Sequence, residues 1–183
     1  MKHFIESEEN IILIRISEIQ GSAPRNEGTF MLVNKRASFG TIGGGAWKYN
    51  GNSAITISSI DGLKGNSYGS GVVDNEGYLW ICSYYGGITV INENGMIVKE
   101  LNEDNGFPTN SVRNMALDGF GNIWATSNEG LVNIVGEKYV IHDMNNGFFS
   151  NSMHGISINS NGLIWVSGNG FLSSFDGKII KNY

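Results

Sequence analysis

The sequence predicts an all-β fold made of short strands in repeated four-stranded units, and three observations carry that reading. Of 183 residues, 26 are glycine and 23 asparagine, the types that best tolerate positive φ in tight turns, while only two are proline. Tryptophans fall at 80, 124 and 165, and each closes the same turn: Asp74-Asn-Glu-Gly77-Tyr-Leu-Trp80, Asp118-Gly-Phe-Gly121-Asn-Ile-Trp124 and Asn159-Ser-Asn-Gly162-Leu-Ile-Trp165. Between 61 and 183 no long stretch repeats apolar residues at i, i+3 and i+4, so helices are not expected there.

Taken in order, residues 11–16 read as a strand, followed by Gly21-Ser22-Ala-Pro-Arg25, a short apolar run Met31–Val33 and the glycine-rich string Gly40-Thr-Ile-Gly43-Gly44-Gly45-Ala46. The first full repeat gives strands at Tyr68–Val73, Leu79–Ser83, Ile88–Asn92 and Met96–Leu101. The second gives Val112–Leu117, Ile123–Ser127, Leu131–Val135 and Lys138–His142, and the third Met153–Ile158, Ile164–Ser167, Phe171–Phe175 and Ile179–Asn182. Upstream of each repeat stand Asp61-Gly-Leu-Lys-Gly-Asn-Ser67, Asn105-Gly-Phe-Pro-Thr-Asn-Ser111 and Asn146-Gly-Phe-Phe-Ser-Asn-Ser152. Four short strands per repeat of about 42 residues is the arithmetic of a β-propeller blade. In each turn Asp or Asn caps the backbone and Gly takes the positive φ, and the Trp is expected to pack between blades.

The segment 38–51 fits the middle of a blade as well. Ser38 stands where the repeat has Trp, Gly44-Gly45 where it has Gly86-Gly87, and Met31–Val33 aligns with Gly71–Val73 across a shorter turn. The expected fold is therefore all-β and β-propeller-like, with three full four-stranded blades plus one irregular N-terminal blade. The division expected is 1–46 as a separate N-terminal segment that also contributes to the first blade, and 47–183 as propeller repeats.

Composition excludes several functions. A balance of 12 Lys and Arg against 17 Asp and Glu, a net charge of −5, a pI near 5.1 and no basic block argue against nucleic acid. No apolar run approaches the roughly 18–20 residues of a membrane span. The start, Met1 to Asn10, is acidic and mixed, without a signal-peptide apolar region, so the chain reads as cytoplasmic. The single Cys82 forbids an intrachain disulfide and a multi-cysteine metal site.

The Asn-Gly-Phe-x-x-Asn-Ser segment, the Asp-x-x-Gly-x-Ile-Trp turn and the following Gly-Leu resemble the two-component regulator propeller repeat. That resemblance covers about 61–183 and implies a non-catalytic platform that recognises a ligand and passes a signal onward, often in the periplasm. Residues 11–46 are similar to the N-terminal domain of the XdhC/CoxI maturation family. That second resemblance implies an alternative role, binding and inserting molybdenum cofactor for xanthine dehydrogenase-type enzymes. Its candidate residues are Gly21, Ser22, Arg25, Gly43, Gly44 and Gly45, a glycine run exposing N–H groups beside a guanidinium that pairs with phosphate. The glycine string belongs to both patterns, as in a fusion of a maturation-factor-like head with a propeller tail.

In an antiparallel blade the start of the innermost strand and the end of the next lie together. That places Tyr84, Tyr85, Arg113, Asn128, Glu129, His154 and Asn169 on one rim near the axis, with Arg113, His154 and Gly69 in equivalent positions. A small-molecule ligand or a partner protein on this rim is the expected binding event, the alternative being solvated loop residues. No cofactor is assigned to the propeller. His3, His142 and His154 are scattered, and Asn102-Glu-Asp-Asn-Gly106 misses calcium-loop spacing because Leu101 sits at the first ligand position, so no metal is assigned. No Gly-x-Ser-x-Gly elbow occurs, and the chain is read as a non-enzyme. A streptogramin lyase-like activity with His154 as base is the minor alternative. Four blades close as a small ring, stay open, or pair with a second copy into one larger ring that hides the blade edges.

Overall fold

Local turn chemistry decides where each strand stops. In the Asp118 turn, the N–H groups of Phe120 and Asn122 donate to Oδ1 at 2.9 Å each, and Gly121 takes φ 88°. Asp74 and Asn159 accept the equivalent pairs of N–H groups, from Glu76 and Tyr78 and from Asn161 and Leu163. Asn92 does the same for Asn94 and Met96, which ends one strand at Ile91 and starts the next at Ile97, one residue inside each expected boundary.

A computed structural model describes residues 30–33, 36–41, 45–49, 54–57, 59–64 and 68–183, with side chains in the first sheet described at Ala46 and Ile57. The expected strand at 11–16 lies outside the described residues. Four antiparallel meanders follow one another along the chain. The first runs through β1 (Phe30–Val33), β2 (Arg36–Thr41), β3 (Gly45–Tyr49) and β4 (Ala54–Ile57). The second holds β5 (Tyr68–Val73), β6 (Leu79–Ser83), β7 (Gly87–Ile91) and β8 (Ile97–Leu101). The third holds β9 (Val112–Leu117), β10 (Ile123–Ser127), β11 (Leu131–Val135) and β12 (Lys138–His142). The fourth holds β13 (Met153–Ile158), β14 (Ile164–Gly168), β15 (Phe171–Phe175) and β16 (Ile180–Asn182).

The N-terminal blade is thus four-stranded like the others, and its irregularity lies in one turn. Gly45 pairs with Thr41 as Gly87 pairs with Ser83, so Gly45 stands at the expected hairpin position. The β1–β2 connection is shorter: Val33 faces Arg36, where Val73 faces Leu79. Met31 consequently faces Ser38 and corresponds to Val72, which faces Trp80, rather than to Gly71 as the linear alignment suggests.

The first strands of the blades, β5, β9 and β13, lie side by side, and β5 also packs on β1 and β2. Each blade buries one face against its neighbour. Leu79, Ile81 and Ile91 meet Ala46 and Ile57 of the first blade. The opposite face, with Val72, Cys82, Ile88 and Val90, meets Met115, Ile123, Ala125 and Ile134 of the third. Trp124 and Leu131 then meet Met153, Ile164, Val166 and Phe175 of the fourth. Among the described residues no packing of similar extent joins β13–β16 back to β1–β4.

Trp80 and Trp124 sit at blade junctions as expected, each donating its indole N–H to the aspartate that starts its turn. Trp165 departs from that expectation. It stacks on Tyr183 at 5.6 Å on the outer face of the fourth blade, between its ladder partners Ser157 and Ser174.

Between blades the chain makes tight 3-10 turns, Glu103–Asn105 and Met144–Asn146. Asn102 and Asn105 cap each other reciprocally, as do Asp143 and Asn146, and Gly106 and Gly147 finish the turns in the left-handed region at φ 89° and 110°. The next residue, Phe107 or Phe148, then enters the core, against Tyr139 at 5.0 Å and Phe175 at 5.9 Å respectively. The polar groups of 102–106 are thus engaged in backbone capping, and no group of three metal-binding side chains occurs among the described residues.

Candidate functional site

The same irregularity recurs at the start of each inner strand. On β9, Val112 faces Ser127 and Asn114 faces Thr126, so Arg113 is an extra residue with no cross-strand partner. On β13, Met153 faces Gly168 and Gly155 faces Ser167, leaving His154 in that place. On β5, Tyr68 faces Ser83 and Gly71 faces Ile81, so Gly69 and Ser70 together oppose Cys82. These are β-bulges, which bend the strand and re-aim a side chain. Three stacked bulges turn positions 69, 113 and 154 out of their ladders at one end of the array.

The hairpin turns at that end carry the remaining candidates. Tyr84 and Tyr85 lie between β6 and β7, Asn128 and Glu129 between β10 and β11, and Asn169 between β14 and β15. All five are exposed to solvent. Asn128 Oδ1 accepts from Thr109 Oγ1 at 2.8 Å, which ties its turn to the segment entering β9. The N–H groups of Tyr85 and Glu129 donate to Ser83 Oγ and Ser127 Oγ, fixing the two turns in the same way.

Three candidates come together across blades. A Cβ on Gly69 would meet the Arg113 carbonyl and lie 3.6 Å from the Tyr84 ring, so glycine is what allows β5 and β9 to approach here. Burial and then the Arg113 charge hold the His154 imidazole below its usual value of 6.5, so the two bulge side chains sense each other. Ser152 Oγ lies 3.5 Å from His154 Nε2, a neighbour that the repeat alignment did not single out although it ends the Asn-Ser motif. The His154 carbonyl accepts from Thr126 Oγ1 at 3.1 Å, joining the third and fourth blades directly beneath the site. Asn169 and Tyr85 stand further out, on the turn tips.

Arg113 is half-buried and its Nε is shut off from water without a hydrogen-bond acceptor. Among the described residues the ion pair is Lys64 to Glu100 at 3.1 Å, and no carboxylate serves Arg113. Of the cofactor candidates, Gly21, Ser22, Arg25, Gly43 and Gly44 lie outside the described residues, and Gly45 opens β3 in the hairpin.

The fold is an array of β-propeller-like blades, with the candidate residues gathered at one end of the inner strands. The chain is similar to the extracellular domain of a protein assigned to the hybrid two-component systems, BT3049 from B. thetaiotaomicron, with a TM-score of 0.74 and 26% identity over 85% of this chain and 22% of that one. The extracellular domain of BT4673 from the same organism matches with a TM-score of 0.70 and 16% identity, over 85% of this chain and 24% of that one. An inactive virginiamycin B lyase from Staphylococcus aureus, solved with quinupristin, matches with a TM-score of 0.65 and 12% identity, over 84% and 54%. The last two relate the fold alone. The chain spans under a quarter of each of these two extracellular domains. A profile of the XdhC and CoxI family matches residues 4–49, which include β1, β2 and β3. No curated protein matches the sequence. Among the described residues no helix is long and apolar enough to cross a membrane.

Proposed function

We propose that this chain is a non-catalytic sensory or interaction module that binds a small molecule or a partner protein on the rim formed by Tyr84, Arg113 and His154, with Tyr85, Asn128, Glu129 and Asn169 around it. The carrying observation is the bulge repeated at one place in three blades, where the scaffold is constant and the residue changes from Gly69 to Arg113 to His154. Similarity to the extracellular domain of the hybrid two-component-system protein BT3049 supports the same reading. Screening a metabolite panel by protein-observed NMR tests it. Binders should shift rim resonances and lose affinity about tenfold in Tyr84→Ala and in His154→Ala. A binder mapping elsewhere and indifferent to both changes would overturn the rim assignment. Turnover of streptogramin-type substrates that disappears in His154→Ala would establish a lyase instead.

A second reading rests on the XdhC and CoxI match at 4–49. Under it Gly21, Ser22, Arg25 and the glycines 43–45 hold molybdenum cofactor, and cofactor co-purifies with the wild type and is lost on Arg25→Ala. Pairing of two chains into one ring is read from the solution mass, about twice 19.9 kDa for a dimer.

A further inference from the structure

Arg113 combines four features that a structural arginine does not need. It is the unpaired residue of a bulge, so its side chain leaves the ladder. Its Nε is buried without an acceptor, an arrangement that native proteins rarely leave unanswered. No carboxylate among the described residues neutralises it, although Glu129 lies in the turn at the same end of the blade. Its backbone carbonyl closes on Gly69, a Cβ at which would lie 3.6 Å from the Tyr84 ring, and its charge reaches the His154 imidazole beside Ser152. A guanidinium is a planar fork of donors that matches a carboxylate with two parallel hydrogen bonds. Tyr84, 39% exposed, offers an aromatic surface at the same bulge, across Gly69 from the Arg113 backbone.

Resting on the rim reading above, we propose that the rim is a site for a small carboxylic acid with an aromatic or apolar body, its carboxylate paired with Arg113, its body on Tyr84, and the Ser152–His154 pair completing the polar wall. The entering carboxylate supplies the charge partner that the guanidinium lacks among the described residues. Neutral analogues leave that cation unanswered, so charge is the selective feature.

The test uses the full chain with sodium benzoate, its neutral isostere benzamide, and inorganic phosphate as a carbon-free oxyanion, followed by titration of the Arg113 Nε–H and backbone resonances. Benzoate should move the Arg113 signals and bind at least tenfold more tightly than benzamide. Arg113→Gln should abolish that preference and Arg113→Lys should retain part of it, with circular dichroism showing that both variants keep the fold. If benzamide binds the rim as well as benzoate, and Arg113→Gln changes neither, the rim reading stands and the carboxylate assignment is overturned. Phosphate binding without benzoate binding overturns it in favour of a bare oxyanion. If all three probes leave the rim resonances unmoved, the carboxylate assignment fails, while the panel with Tyr84→Ala continues to judge the rim itself.

Discussion

The Asp118 carboxylate holds the Trp124 indole N–H at 2.9 Å while it organises the turn that leads to it. Asp74 holds Trp80 in the same way at 2.7 Å. One side chain thus fixes both the turn and the ring that packs against the next blade. The third repeat has Asn159 in this place. Its single carboxamide oxygen caps the turn, and its NH2 cannot accept from Trp165, so the clamp of the first two repeats is not made by this residue.

Asp118→Ala should destabilise the protein by about 2 kcal/mol, the cost of leaving several donors without a charged acceptor. Asn159→Asp should act in the opposite sense and add about 0.5–1 kcal/mol by giving Trp165 an acceptor. Urea unfolding of the two variants measures both, and an Asn159→Asp variant no more stable than wild type would sink the clamp argument.

Acid should weaken the junction between the third and fourth blades. His142 lies 5.7 Å from Trp124 and 4.8 Å from Phe175, and burial holds its imidazole below 6.5 against the opposing charge of Asp143. The unfolded chain takes up a proton as pH drops through 6.5 and the folded chain resists, so this contribution is complete above that value and declines below it. His154 and Asp118 act in the same direction, Asp118 because hydrogen bonds outweigh the burial that pushes its carboxyl up. Unfolding midpoints at about pH 7.5 and about pH 5.5 should differ less in His142→Phe than in wild type.

Cys82 should be inert in the native state. It is fully buried, its Sγ accepts from the Ser70 N–H at 3.3 Å, and burial pushes its thiol up to about 12. Ellman's reagent should react only after unfolding in denaturant. Prompt reaction with the folded protein would mean that the second and third blades separate readily.

Phe148→Ala should cost about 3–5 kcal/mol, because the ring is buried between Phe175 and the fourth-blade core and the capped turn beneath it cannot collapse into the hole. Gly69→Ala should cost about 2 kcal/mol and disturb Arg113, whose carbonyl occupies the space of the new methyl. Thermal melts of the pair separate a core defect from a rim defect, since the second alone should move the rim resonances.

Much of the fold was legible because its punctuation is local. Asp74, Asp118 and Asn159 each cap a turn within four residues, and the glycine that follows has one conformation to adopt, so strand limits fall within one residue of expectation. What needed coordinates depends on two strands at once. A bulge is a register relation, and nothing in the string Val112-Arg113-Asn114 announces that Ser127 faces the first residue and Thr126 the third. The shift of Met31 onto the Val72 position has the same origin, a shorter turn whose effect appears only across the ladder. The common placement of 69, 113 and 154 was readable from repeat equivalence, whereas the contact of Ser152 with His154 was hidden inside a motif that looked purely structural.

The unpaired residue of each bulge also separates two kinds of selection. The ladder partners on either side, Val112 with Ser127 and Met153 with Gly168, bear the register, and the extra residue between them bears none. Arginine stands there in one blade and histidine in the next, on the same register. A blade therefore keeps its register whatever residue stands at the bulge, so under the proposed rim reading specificity changes by substitution at one position per repeat. A library randomised at 113 and 154 should retain folded members at high frequency while its binding spectrum diverges.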